Sequence, residues 1–239
     1  MNPIAIVAAG QRAEAAYIVD PVAAKAAFEQ LGMTFLGQFQ DSTHQGVVSQ
    51  DAKGRYYVTI TGTRWSEGFG ADLLNDIWLA PVKAPKGGLV ASGVYCGMKD
   101  FWAWVLSKVP AGAVLNIEGH SLGAERALLA PIFLSPAQIG DLYAFEPPQC
   151  ATQEYWDAYR DELSQAVVTV CGLDLWFNWP PRQGYVHDAQ MQVLWLLSTG
   201  SQWILPANYK GGSSASDHHI AEVNSRLQYC MQNAKFPNP

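Results

Sequence analysis

Residues 113–130, AVLNIEGHSLGAERALLA, set an alternating apolar run directly against an alanine- and leucine-rich one, with Gly119 and Gly123 in between. The alternation fits a strand and the second run a helix, so the chain must change geometry within a few residues. Glycines on both sides of Ser121 permit so tight a corner that the serine hydroxyl is thrust out at the carboxyl end of the sheet. Open α/β sheets bind substrates at that end. A lone Gly-x-Ser-x-Gly match arises by chance in roughly one sequence in ten. A functional reading therefore needs a base, an acid and an oxyanion-binding loop elsewhere in the chain.

The surrounding pattern predicts an α/β fold. Residues 3–18 read as a helix, and Asp20-Pro21 supply the N-cap and first position of a second one, which Gly32 ends. TFLGQFQ, QGVVSQ and RYYVTITG read as strands, the last two joined by a turn over 51–54. Met98, Phe101, Trp102, Val105, Leu106 and Val109 recur at helical spacing within 94–109. Downstream come the 113–118 strand and a helix from about Leu122 that Pro131 bends or stops. DLYAF (141–145) follows as a strand, QEYWDAYRDELSQ as a polar helix, AVVTVC (166–171) as a buried strand, and MQVLWLLS with QWILP as a late pair. A flexible loop over 211–216 leads to a last helix from about Asp217. Strands alternating with helices after residue 90 make the middle of the sheet mostly parallel, with antiparallel strands at its margins.

No linker, charge block or repeat divides the 239 residues, so the expectation is one domain over 1–239, with N-terminal helices in 1–32. Hydrophobic residues make up 49% and charged residues 15%, a balance that suits an apolar surface or a large cavity. A net charge of -6 without Lys/Arg clusters argues against nucleic acid as a partner. No run of 18 apolar residues is present to span a bilayer. The N-terminus lacks a basic leader and a cleavage site, so the expected location is the cytoplasm or, after export, a compartment reached by a non-Sec route. Cys96, Cys150, Cys171 and Cys230 are widely spaced, which predicts free, mostly buried thiols and no zinc site. No cofactor or metal is expected.

A serine hydroxyl becomes a useful nucleophile when a base accepts its proton. His187, His218 and His219 follow Ser121; His44 precedes it, and His120 abuts it with its side chain turned away. His218 is favoured as base because it follows a loop late in the chain, and its neighbour His219 shares the claim. Asp174, after the 166–171 strand, is favoured as the carboxylate that orients the base, with Glu146 at the end of DLYAF as rival. Oxyanion donors are expected from the Leu122 backbone N–H and from Thr63 in ITGTRW, where Gly62 lets the backbone bend.

In this order ITGTR, LLNDIWLAPV, GVYCGM, GHSLGAE, VVTVCGLDLWFNWPP, GYVHDAQMQVLW and SDHHI resemble the class 3 lipases, typified by small secreted fungal triacylglycerol lipases. The resemblance runs from about Tyr56 to the last helix. It implies an α/β-hydrolase fold and a serine carboxylester hydrolase, with Ser121 as nucleophile, Asp174 as acid, His218 as base, Thr63 and Leu122 as oxyanion donors, and His187 in a structural role. It places a lid over 64–78, where Trp65, Phe69, Leu73, Ile77 and Trp78 offer an apolar face for the site and for a lipid interface. The implied partner is an ester substrate of lipid-like character. Departures from the family pattern are Tyr95 where a His is usual, charged Glu125 and Arg126 beyond the corner, FEPP in place of Phe-Gly-x-Pro, and His219 after His218. The competing reading is an inactive relative that keeps the fold as a binding module.

Overall fold

The structure is a computed structural model that describes residues 2–62, 80–180 and 184–237. Thr63 and the expected lid over 64–78 lie outside the described residues.

Two helices come first, α1 (Pro3–Ala15) and α2 (Pro21–Gln30), and Asp20 Oδ1 accepts the Ala23 amide at 2.8 Å as the predicted cap. An Asp cap of this kind contributes about 1 kcal/mol. Strands β1 (Thr34–Gln40), β2 (Gln45–Gln50) and β3 (Tyr56–Ile60) then form an antiparallel meander. A small hairpin, β4 (Pro81–Lys83) and β5 (Leu89–Ala91), precedes the short helix α3 (Ser92–Tyr95) and α4 (Met98–Ser107). Next are β6 (Leu115–His120), α5 (Leu122–Leu128), β7 (Ile139–Phe145), α6 (Gln153–Ala158), α7 (Arg160–Leu163) and β8 (Val167–Cys171). The pair β9 (Val193–Leu197) and β10 (Gly200–Ile204) and the helix α8 (Ile220–Gln232) complete the order.

Among the described residues, eight strands lie side by side as β1-β2-β3-β6-β7-β8-β9-β10. The pairs from β3 through β9 are parallel and the outer ones antiparallel, as expected for this fold. Period-two alternation sends Leu142, Ala144, Val168 and Val170 to one face, where they meet Phe101, Trp102 and Val105 of α4 and Leu122 and Ala127 of α5. The other face carries Tyr143, Phe145, Leu194 and Leu196 against Ile6 and Val7 of α1 and Val223 and Leu227 of α8. Each face is thus covered by helices, which a parallel sheet requires. On the α1 side, Arg12 grips Glu118 of β6 through two hydrogen bonds of 2.7 and 2.8 Å, and Thr59 Oγ1 donates to the same carboxylate at 2.7 Å.

Four local expectations change. The predicted 94–109 helix is broken at Gly97, which takes φ 78 and sits so close to the His44 ring that a Cβ would lie 2.2 Å from it. Leu106, expected on the buried stripe, is exposed. The polar helix after Thr152 divides into α6 and α7 at Tyr159, whose φ -117 and ψ 17 leave the helical region, and Tyr155, Trp156 and Tyr159 are buried in the core. The last helix starts at Ile220, and residues Ser216–His218 form a separate single turn before it.

Candidate active site

The site is assembled at the carboxyl ends of β6, β7 and β8. The β6 ladder is continued by Ser121, whose amide donates to Phe145 O at 2.9 Å, and the chain then turns into α5. Ser121 itself takes φ 57, ψ -128, a conformation that costs a non-glycine residue energy and persists because its surroundings enforce it. Two glycines make the corner sterically feasible. A Cβ on Gly119 would lie 2.2 Å from Gly123 O, and one on Gly123 would lie 2.1 Å from Ile60 O. The first turn of α5 therefore rests directly on β3 and β6, and the Leu122 N–H, as a first-turn amide, has no partner inside its helix.

His218 Nε2 lies 2.8 Å from Ser121 Oγ, and His218 Nδ1 lies 3.0 Å from Asp174 Oδ1. Ser121, His218 and Asp174 are 9%, 6% and 0% exposed, so the array is screened from solvent. Both segments that carry the imidazole and the carboxylate are stitched together. Leu175 N donates to Ser214 O, and Leu173 N donates to the Asp217 carboxylate, which also binds Arg226 of α8. Tyr209 Oη donates to Asp174 O at 3.0 Å, and Asp174 Oδ1 accepts its own downstream amide, Trp176 N, at 2.9 Å. His219 is exposed and serves as the N-cap residue of α8; the structure brings His218 to Ser121, not its neighbour.

Glu146, the rival acid, also reaches the site. Its Oε2 is 3.9 Å from His218 Nδ1 and 3.2 Å from His120 Nε2, and the residue is fully buried at φ 53. Burial, and then the nearby Asp174 charge, hold the Glu146 carboxyl well above the usual carboxylate range. His120 points away from the Ser121 hydroxyl. Its Nε2 is 2.9 Å from His218 O, and its Nδ1 is 2.6 Å from Tyr17 Oη, which accepts the Gly62 amide at 2.9 Å. The His218 carbonyl can only accept, so Nε2 carries the ring proton and the Tyr17 hydroxyl donates to Nδ1 while accepting the Gly62 amide. Desolvation keeps His120 far below the ordinary histidine range, so it stays neutral. His120, Glu146 and His218 bring ligand-type atoms within 4.8 Å of one another, yet these same atoms are engaged in the hydrogen bonds just described.

Of the expected oxyanion donors, Leu122 stands beside Ser121, and Thr63 is outside the described residues. Gly62, just before it, lies against the site: a Cβ there would be 2.7 Å from Ser121 Cβ and 2.8 Å from His120 O. His187 stays apart, stacked on Phe177 with ring centroids 3.9 Å apart and its Nε2 2.7 Å from Phe177 O. Burial takes it down to about 4. Sequence reasoning missed Tyr17. Nothing in the pattern around the first two helices signals that its hydroxyl spans β3 and β6.

The Cys150, Cys171 and Cys230 thiols are buried and Cys96 is exposed, and all four are free. No described helix is long and apolar enough to cross a membrane.

No family model matches the chain. No curated protein sequence matches it either. Solved structures do. Lipase II from Rhizopus niveus superposes with a TM-score of 0.69 at 19% identity, covering 90% of this chain and 92% of that one. A lipase of Yarrowia lipolytica gives 0.64 at 15% identity over 95% and 92%, and a triacylglycerol lipase of Penicillium expansum gives 0.61 at 16% over 91% and 89%. The chain therefore has the α/β-hydrolase fold of the fungal triacylglycerol lipases across most of its length.

Proposed function

We propose that the protein is a serine carboxylester hydrolase acting on lipid-like esters. The observation that carries this reading is one continuous array, with Ser121 Oγ 2.8 Å from His218 Nε2 and His218 Nδ1 3.0 Å from Asp174 Oδ1. In the proposed reaction His218 Nε2 takes the Ser121 proton as Oγ attacks the ester carbonyl carbon. The carbonyl oxygen becomes an oxyanion, held by the Leu122 N–H and by Thr63; one such donor typically supplies about 3 kcal/mol. When the intermediate collapses, the bond to the alkoxy oxygen breaks and His218 returns its proton to the departing alcohol. Water, deprotonated by the same imidazole, then attacks the acyl-enzyme and releases the acid. Asp174 fixes the imidazole tautomer and stabilises the imidazolium that forms twice per turnover.

The lipid-like character rests on what borders the array. Half-buried Trp176 has its ring centroid 6.4 Å from that of His218, and exposed Leu173 and Leu175 flank Asp174. Segment 64–78 is proposed to act as a lid that contacts a lipid interface. A rate jump above the solubility limit of the substrate supports that role, and smooth saturation through the limit removes it.

The decisive experiment pairs a fluorophosphonate probe with p-nitrophenyl esters of graded chain length, run beside Ser121→Ala. Covalent labelling and turnover that both vanish in the variant are expected. Native protein that neither labels nor turns over any ester overturns the proposal in favour of a binding module.

A further inference from the structure

A second carboxyl at the imidazole is the feature that the proposed reaction leaves unused. Glu146 is 0% exposed, its backbone holds φ 53, and its Oε1 has no hydrogen-bond partner among the described residues. A long acidic side chain in the left-handed region, buried with an unsatisfied oxygen, is costly on each count. Glycine would fit that backbone with no side chain to bury. The residue is held in place once through its backbone and once through its carboxyl. Glu146 N donates to Thr169 O at 2.8 Å, and its Oε2 faces His120 Nε2 at 3.2 Å. What it gains from this position is proximity to His218 Nδ1, at 3.9 Å, against 3.0 Å for Asp174.

We propose that Glu146 is a second orienting carboxyl of His218, sharing the Nδ1 side of the imidazole with Asp174 and taking over from it when Asp174 is removed. The inference rests on the esterase reading of the same site. Glu146 touches no substrate atom and acts through His218, so it is a positioning residue. In the resting site it is protonated and neutral, first because burial disfavours its charge and then because the nearby Asp174 carboxylate repels it. It then limits the field on Nδ1 to one negative charge. Without Asp174 that repulsion disappears, Glu146 ionises at lower pH, and its carboxylate pairs with the imidazolium; no bond other than the Glu146 O–H changes. The charged and titratable groups that face it are Asp174, Asp217, Arg226, Cys171, Tyr17, Tyr209, His120 and His218.

The test compares Asp174→Ala, Glu146→Gln and the double variant by kcat/KM on a soluble ester across pH, with fluorophosphonate labelling of the native protein alongside. Impairing a triad carboxylate that has no substitute drops kcat by about 10⁴-fold. Here Asp174→Ala is expected to lose only ~10²-fold, and adding Glu146→Gln is expected to remove a further ~10²-fold. The acid limb of the Asp174→Ala profile should follow ionisation of Glu146 and disappear in the double variant, which a purely structural role for Glu146 would not produce. Asp174→Ala as inactive as the double variant, in a protein whose native form labels, overturns the inference and leaves the esterase reading standing. Native protein that does not label overturns both. If Asp174→Ala does not fold, Asp174→Asn with and without Glu146→Gln reads the same difference.

Discussion

Tyr17 Oη lies 2.6 Å from Nδ1 of His120, across 103 residues of chain. The same hydroxyl accepts the Gly62 amide, so a side chain between the two N-terminal helices joins the end of β3 to the residue before Ser121. Tyr17→Phe leaves a backbone N–H and a buried imidazole nitrogen unpaired, each costing about 1–3 kcal/mol. The expected result is a lower melting temperature together with a kcat reduced about tenfold at nearly constant KM, because the groups that shift border the reacting carbonyl. Calorimetry and steady-state kinetics on a soluble ester check both halves.

His218 and His219 are adjacent in sequence and opposite in placement, one buried against Ser121 and the other exposed at the start of α8. His218→Ala is expected to cost at least about 10⁴-fold in kcat, the scale on which a general base and its nucleophile act as a unit. His219→Ala should stay within about twofold of the native rate. Equal losses in the two variants would reassign the base.

Gly123 has no room for even one carbon, since a Cβ would lie 2.1 Å from Ile60 O and 2.6 Å from Ile60 C. Backbone cannot yield as a flexible side chain does. Gly123→Ala should destabilise by about 2–3 kcal/mol, the usual scale of overpacking. Denaturant unfolding at constant m-value measures it, and a neutral effect would contradict the contact between α5 and β3.

Glu125, buried in α5, has its carboxyl pushed up to about 8 by desolvation, with the neighbouring Arg126 charge opposing. An unfolded glutamate titrates near 4.3, so the native state keeps a proton that the unfolded chain has lost over the interval between. Its contribution to stability is therefore complete below about pH 4.5 and is lost as pH rises toward 8. Glu125→Gln does not titrate. Its melting temperature should rise relative to the native protein between pH 5 and pH 8, by at least ~4 °C given about 2–4 °C per kcal/mol at this size. A gap that stays constant with pH would place an ionised carboxylate at this position.

The elements that sequence alone made legible are those with a local cause. Asp20-Pro21 announced α2 through its cap, and the alternation of AVLNIE followed by GHSLG announced β6, the corner and α5. Asp174 and His218 were reachable because chain order and strand ends restrict where partners of Ser121 can come from. What escaped was decided by distant contacts. The His44 ring, 53 residues from Gly97, accompanies the break before α4, and the core takes the rings of Tyr155, Trp156 and Tyr159 from a segment that reads as polar. Tyr17 and the reach of Glu146 belong to the same class, since no periodicity records which side chain fills a gap between strands.

A histidine that links groups borne by β6 and β8 has to arch over whatever terminates β7, for the strands are neighbours in the order β6-β7-β8. Whatever side chain stands at 146 is therefore the floor beneath that arch, and swapping it changes the underside of the ring without touching either of its ends. Natural variation at this one place, read across relatives, would act as a dial on how firmly the imidazole is seated.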